Sequence, residues 1–279
     1  MSQSSPEKPV LVIEAGRTKR RYWQDLWQFR EVLYLLAWRD ILVRYKQTAI
    51  GVLWALIRPL VTIVAFTVVF GGLAKLPSEG VPYPILVCAA MLPWQFFATA
   101  FSEIGNSLVG NANLISKVYF PRLLIPMSTV AVAVADFLIS LLILAGLMGW
   151  YGLIPDWRML ALPLFVLVAA ATAFGIGLWV AALNVRYRDF RHLIPFLVQI
   201  GLFVSPVGFS SSVVPERWRL LYSLNPMVGV IDGFRWSMLG GNAQIYLPGV
   251  VASILLTTLL LVSGVIFFRR TERTFADII

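Results

Sequence analysis

An all-α, polytopic membrane protein with six spans is what this sequence predicts, and three observations carry the prediction. Hydrophobic residues make up 59% of the 279 positions and charged residues 13%, where soluble domains hold roughly 45–50% and ~25%. The apolar residues gather into long runs at 52–73, 83–108, 123–150, 159–183, 193–208 and 245–268. A helix needs ~20 mostly apolar residues to cross a hydrocarbon core about 30 Å thick. Lys and Arg fall between those runs and favour one side. With the N-terminus inside, cytoplasmic segments hold 17 of them and external segments 5, the bias that sets orientation. Both termini are therefore expected in the cytoplasm.

Residues 1–21 read as a charged cytoplasmic tail, and the first 46 residues predict no cleavable leader. Residues 22–50 read as an amphipathic helix. On a wheel of ~100° per residue, Trp23, Trp27, Tyr34, Trp38, Ile41 and Tyr45 fall within about 60° of one another. Leu26, Phe29, Leu33 and Leu36 extend that face, and Gln24, Asp25, Gln28, Glu31, Arg39 and Lys46 lie opposite. Aromatic rings with polar edges favour the headgroup region, so the helix is expected in the cytoplasmic membrane surface. Val32, Leu35 and Leu42 fall on the polar arc, where a protein partner could touch them.

Residues 51–268 form the six-span domain, and 269–279 a cytoplasmic tail. The fifth run is short and ends in Ser205-Pro206, so it is not expected simply to cross and leave. The external region 205–244 is too polar and too rich in Pro and Gly for a seventh span, yet too apolar for a free loop. Ser210-Ser211-Ser212, Pro215 and Asn225-Pro226 should break it into two short helices, with Pro226 in a first helical turn.

The composition also excludes functions. The net charge of +9 lies between apolar runs, which argues against nucleic acid as a partner. One cysteine (Cys88) and one histidine (His192) exclude a disulfide framework and a Cys/His metal site. The sequence contains neither GxxxxGK[ST] nor GxGxxG, so it binds no nucleotide by either device. The clustered acidic or His residues of a lipid-modifying membrane enzyme are missing too. Transport remains. Three ionisable residues fall at membrane depth, Arg58, Glu103 and Asp136, where charge is costly and faces a protein interior or a wet cavity. Arg58 and Glu103 could pair, and Asp136 has no obvious partner. A proton-coupled secondary transporter, which would want such groups, is one alternative.

The stretch Trp38-Arg39-Asp40-Ile41-Leu42-Val43-Arg44-Tyr45-Lys46-Gln47-Thr48, followed by Gly51, Trp54 and Pro59, resembles the start of ABC exporter permeases for cell-surface polysaccharides such as O-antigen, capsule and teichoic acid. Further matches follow in order: Leu92-Pro93-Trp94-Gln95-Phe96-Phe97, the run from Asn111 to Arg122, Arg186-Tyr187-Arg188-Asp189, Ser205-Pro206-Val207, Pro215, Trp218, Asn225-Pro226 and Arg235. The resemblance covers roughly residues 20 to 270. One departure is Arg58, where that family more often has glutamine.

The resemblance implies a homodimer in the bacterial inner membrane. Each subunit would dock a cytoplasmic ABC ATPase, two copies in all, which carries the ATP and magnesium; this chain would be no enzyme and hold no cofactor. The substrate would be a lipid-linked polysaccharide, with a drug or lipid as the alternative cargo. The cytoplasmic loop 111–122 suits coupling to the ATPase, with Leu114, Lys117 and Arg122 around the exposed aromatics Tyr119 and Phe120 and a stop at Pro121. An ordinary basic loop would explain its charges but not its aromatics.

A glycan offers flat CH faces, so a path that lets it slide should present aromatic rings. Trp94, Phe97 and Phe101 share one helix face at i, i+3 and i+7, with Gly105 below them and a kink expected at Pro93. Trp54 and Arg58 stand at i, i+4, within reach of cation–π contact. The other reading of these aromatics is packing between helices or against lipid. By the same resemblance Ser205, Pro206, Pro215, Asn225 and Pro226 belong to helices that dip back into the outer leaflet and gate the exit.

Overall fold

A computed structural model describes residues 19–46, 52–78, 80–154, 156–187, 189–240 and 245–275; the side chains of residues 19–21, 52–55, 58 and 273 lie outside the description. Every regular element among the described residues is helical. In chain order these are α1 (Lys19–Gln28), α2 (Arg30–Lys46), α3 (Val52–Phe66, continued by π-helical turns over Thr67–Leu73), α4 (Tyr83–Gly110), α5 (Ala112–Lys117) and α6 (Leu124–Trp150). They continue with α7 (Leu162–Arg186, entered through a 3-10 turn at Trp157–Ala161), α8 (Phe190–Val204), α9 (Glu216–Tyr222), α10 (Pro226–Leu239) and α11 (Leu247–Thr271).

Four helices are long and apolar enough to cross a membrane: Tyr83–Gly110, Leu124–Trp150, Trp157–Arg186 and Leu247–Thr271. They coincide with the second, third, fourth and sixth runs. The first and fifth runs appear as shorter apolar helices, Pro59–Leu73 and Phe190–Val204. The outward faces are apolar as well: Leu138 and Leu142 of α6 and Leu255 and Leu259 of α11 are all more than half exposed. In water such a continuous surface would be a liability; against lipid it is the expected one.

Helix α4 is the centre. Every residue from Ile85 to Trp94 is buried, and α6, α7 and α10 pack around it, with α11 behind α7. Small residues bring α7 and α11 close. A Cβ on Gly264 would collide with the Gly175 carbonyl oxygen, the Thr172 and Thr257 hydroxyls pair at 2.7 Å, and Trp179 stacks on Phe267 at 4.0 Å. Close backbone approach and interhelical hydroxyl bonds hold helices together where lipid offers no hydrophobic drive.

Helices α1 and α2 sort into three sectors rather than two. Trp23, Trp27, Tyr34 and Trp38 are more than half exposed. Leu26, Phe29, Val32 and Leu33 pack on a second apolar cluster that contains Leu36, Leu108, Ile115, Leu123 and Phe268. So Leu26, Phe29, Leu33 and Leu36, expected to widen the aromatic face, instead turn onto the protein. Val32 joins them, while Leu35 and Leu42 are exposed. Nor does α2 lie across the helix ends. Arg39 bonds Asn111 and Arg44 bonds Glu103, while Asp40 meets Ser128 and Arg44 meets Asp136. Contacts that step backwards along α4 and forwards along α6 mean that the C-terminal half of α2 climbs this pair.

Candidate functional site: docking segment, charged tie and exit clasp

The segment between α4 and α6 begins with the short helix α5 and turns extended at Val118 (φ −128°, ψ 133°). Successive side chains of extended backbone point to opposite sides, and the two aromatics split accordingly. Tyr119 is 70% exposed, whereas Phe120 is 6% exposed and sits in the second apolar cluster. The expectation that both face the cytoplasm is therefore corrected: Tyr119 is offered outward and Phe120 anchors the segment from beneath. Lys117 is exposed, and Leu114 packs partly against the same cluster. Arg122 turns inward. Its amide donates to Glu272 Oε1 at 2.9 Å and its guanidinium to the Glu272 carbonyl.

The expected pairing of Arg58 with Glu103 falls on a side chain outside the described residues, as does the expected contact of Arg58 with Trp54. Among the described residues Glu103 accepts from Arg44 Nη1 at 2.9 Å, and Asp136 accepts from Arg44 Nη2 at 2.5 Å. The Tyr45 hydroxyl donates to the other Asp136 oxygen. Asp136, without a partner in the sequence reading, thus has two. Asp40 and Arg44 stand at i, i+4 on the face that α2 turns to α6. The planar fork of arginine suits one guanidinium to two carboxylates on different helices.

Trp94, Phe97 and Phe101 are all buried. Their ring centroids follow at 5.4 Å and 5.9 Å, the second pair stacked with its planes nearly parallel at 2°. The stripe packs between helices. A Cβ on Gly201 of α8 would lie 2.5 Å from the Trp94 ring, and one on Gly105 would lie 2.7 Å from Ile194 of α8. The seam between α4 and α8 is therefore ring against glycine at one level and aliphatic against glycine at the next.

At the opposite end, the turn after α8 is held from several elements. Ser205 Oγ accepts from Asn225 Nδ2 at 2.9 Å. Asn225 Oδ1 in turn caps α10 by accepting from the Met227 amide at 3.0 Å, and Pro226 sits in the first turn of α10. Arg235, 2% exposed, donates to the carbonyls of Phe209 (2.8 Å), Val207 (3.2 Å) and Leu86 (3.3 Å). Tyr83 adds a bond to the Gly208 carbonyl at 2.6 Å. A buried guanidinium is tolerable only when its donors are matched like this. Ser205, Pro206, Asn225 and Pro226 thus meet in one clasp. Pro215 is exposed ahead of α9, outside it. The two short helices expected from the Pro and Asn-Pro breaks are α9 and α10. Arg235 was visible as a motif residue, but Tyr83 carried no signal.

Comparison with known proteins places this geometry. The family model described as ABC-2 type transporter matches residues 31–239. The O-antigen export system permease protein RfbA of Myxococcus xanthus is 27% identical over 218 residues, which cover 77% of this chain and 83% of that protein. A protein of the same name from Klebsiella pneumoniae is 24% identical over 256 residues, covering 89% of this chain and 95% of its own length.

Proposed function

The chain belongs to the ABC-2 type transporter family, and on that premise we propose that it is the membrane subunit of an exporter that moves a lipid-linked, O-antigen-like polysaccharide across the bacterial inner membrane. The relatives from Myxococcus and Klebsiella support the cargo class. The observation that carries the mechanism is the docking segment: one aromatic exposed, its neighbour anchored, and the backbone tied at Arg122. That is a stiff surface able to receive motion, and two copies of a cytoplasmic ABC ATPase would supply it. ATP and magnesium belong to that partner, and this chain performs no catalysis.

The four long helices, together with α3 with its π-helical extension and α8, make six spans per subunit in a homodimer. Both termini are cytoplasmic on this reading, in keeping with the meeting of Tyr22, Arg122 and Glu272 at one end. The exposed aromatics of α1 and α2, Trp23, Trp27, Tyr34 and Trp38, rest in the headgroup layer of the membrane. Trp54 and Arg58 stand in the cytoplasmic third of the first span, where Arg58 would receive substrate phosphates and Trp54 the first sugar. The glycan then passes along Trp94, Phe97 and Phe101 when α8 parts from α4. At the outer face α9 and α10 form the re-entrant exit, with Ser205, Pro206, Pro215, Asn225 and Pro226 at its gate.

The test is co-expression with the ATPase, reconstitution in lipid and measurement of ATP hydrolysis with and without lipid-linked polysaccharide. Stimulation by the polysaccharide supports the reading. Stimulation by lipids or drugs but not by polysaccharide would move the cargo to the alternative class.

A further inference from the structure

The docking segment is fastened by residues that lie outside the region matched by the family, which spans 31–239. Tyr22 of α1 donates its hydroxyl to Glu272 Oε2 at 3.0 Å, and Glu272 Oε1 accepts from the Arg122 amide at 2.9 Å. The Arg122 guanidinium returns to the Glu272 carbonyl. Arg269 lies over the Tyr22 ring, 4.4 Å from its centroid. Beneath them Phe268 and Phe275 meet edge to face at 5.4 Å, both fully buried, in the cluster that holds Phe120. One carboxylate therefore joins the first helix, the docking segment and the end of α11.

We propose that Glu272 and Tyr22 are positioning residues of the coupling step, a clasp that fixes the angle at which Tyr119 and Lys117 are presented to the ATPase. The proposal rests on the docking reading of that segment, and it goes further by assigning both chain ends to it. Without the clasp the Arg122 amide loses its acceptor, and the segment from Val118 to Arg122 keeps the Phe120 anchor and the Arg122 guanidinium's bond to the Glu272 backbone carbonyl.

Burial pushes the Glu272 carboxyl above its ordinary range, against the Arg122 amide, the Tyr22 hydroxyl and the charges of Arg122 and Arg269, which pull it down. Among the described residues these are the titratable and charged groups that act on it. Opening the clasp returns the carboxyl to water and to its ordinary range. Closure is therefore favoured by protonation: the clasp tightens as pH falls through the raised pKa and loosens as pH rises through it. A neutral amide of the same shape should hold as well as the acid.

The experiment is hydrogen–deuterium exchange over residues 112–123 of the full chain in lipid nanodiscs, followed by ATPase assays on the co-purified exporter. Glu272→Ala and Tyr22→Phe should speed exchange at the Arg122 amide, the former by about tenfold, the loss expected for one buried hydrogen bond. Glu272→Gln should stay within about twofold of wild type. After correction for intrinsic rates, wild-type protection should rise as pH is lowered, while Glu272→Gln stays flat. Polysaccharide-stimulated hydrolysis should fall about threefold in Glu272→Ala and be retained in Glu272→Gln. Unchanged exchange in Glu272→Ala would overturn the clasp. Faster exchange with wild-type stimulation would overturn its positioning role. The docking reading is judged separately by Tyr119→Ala, which leaves the clasp intact.

Discussion

Replacing Phe120 and Tyr119 one at a time should separate folding from docking. Phe120 is 6% exposed and packs among Leu108, Ile115 and Leu123. Burying a phenylalanine removes roughly 150–250 Å² from water, and at about 25 cal/mol per Å² the side chain contributes about 4–6 kcal/mol. Phe120→Ala leaves a cavity at a helix junction, and large-to-small changes of this kind cost about 3–5 kcal/mol. Spread over a bundle of this size, that loss lowers the melting temperature by on the order of 10 °C. Tyr119, 70% exposed, should change stability by less than about 0.5 kcal/mol when cut to alanine. Its loss should instead weaken ATPase association by roughly tenfold, as for an aromatic at the centre of an interface. Melting followed by size-exclusion in detergent reads the first effect, and ATPase retention on immobilised permease reads the second. A Phe120→Ala protein as heat-stable as wild type, or a Tyr119→Ala protein that loses stability and keeps its ATPase, would refute the assignment of anchor and contact.

Arg44→Met removes the one cation that, among the described residues, joins the Glu103 and Asp136 carboxylates; because all three are partly exposed, the cost should be about 1–2 kcal/mol, and adding Asp136→Asn should recover part of it in a thermostability assay. Arg235→Met orphans the Val207 and Phe209 carbonyls at the turn after α8 and removes the second donor from Leu86 of α4, which should cost about 3 kcal/mol, read as lost monodisperse protein on size-exclusion; Arg235→Lys cannot reach all three and should fall between. Trp23 and Trp27, both more than half exposed, should be quenched by shallow lipid-attached quenchers; quenching only from the aqueous side would remove α1 from the membrane surface.

What the sequence made legible follows physical length scales. A run of ~20 apolar residues is a local property, so the four long helices and both shorter ones were readable without neighbours. The Pro and Asn-Pro breaks that separate α9 from α10 are local too. The partners of Glu103 and Asp136 were not legible, because Arg44 lies 59 and 92 positions away along the chain. A helical wheel orders residues by angle but does not say which arc meets protein and which meets lipid. Leu26, Phe29, Leu33 and Leu36 were therefore merged with the tryptophans. The split of Tyr119 from Phe120 was available in principle, since adjacent residues diverge wherever the backbone is extended, but the region was read as a loop with both aromatics exposed. Glu272 gave no signal, as its partners sit 150 and 250 positions away.

Helices α4 and α6 form two rafters that meet at the docking segment, and Arg44 is the beam nailed across them. An A-frame with its cross-tie in place does not splay when its apex is pushed; it tips as one piece. On the proposed docking reading, a stroke received at Tyr119 would tip α4 and α6 together, and the displacement at their far ends would grow with their length. Twenty-eight residues of α4 make an arm of about 42 Å, so a tilt of a few degrees at the apex is already on the order of 2–3 Å of travel at the other end.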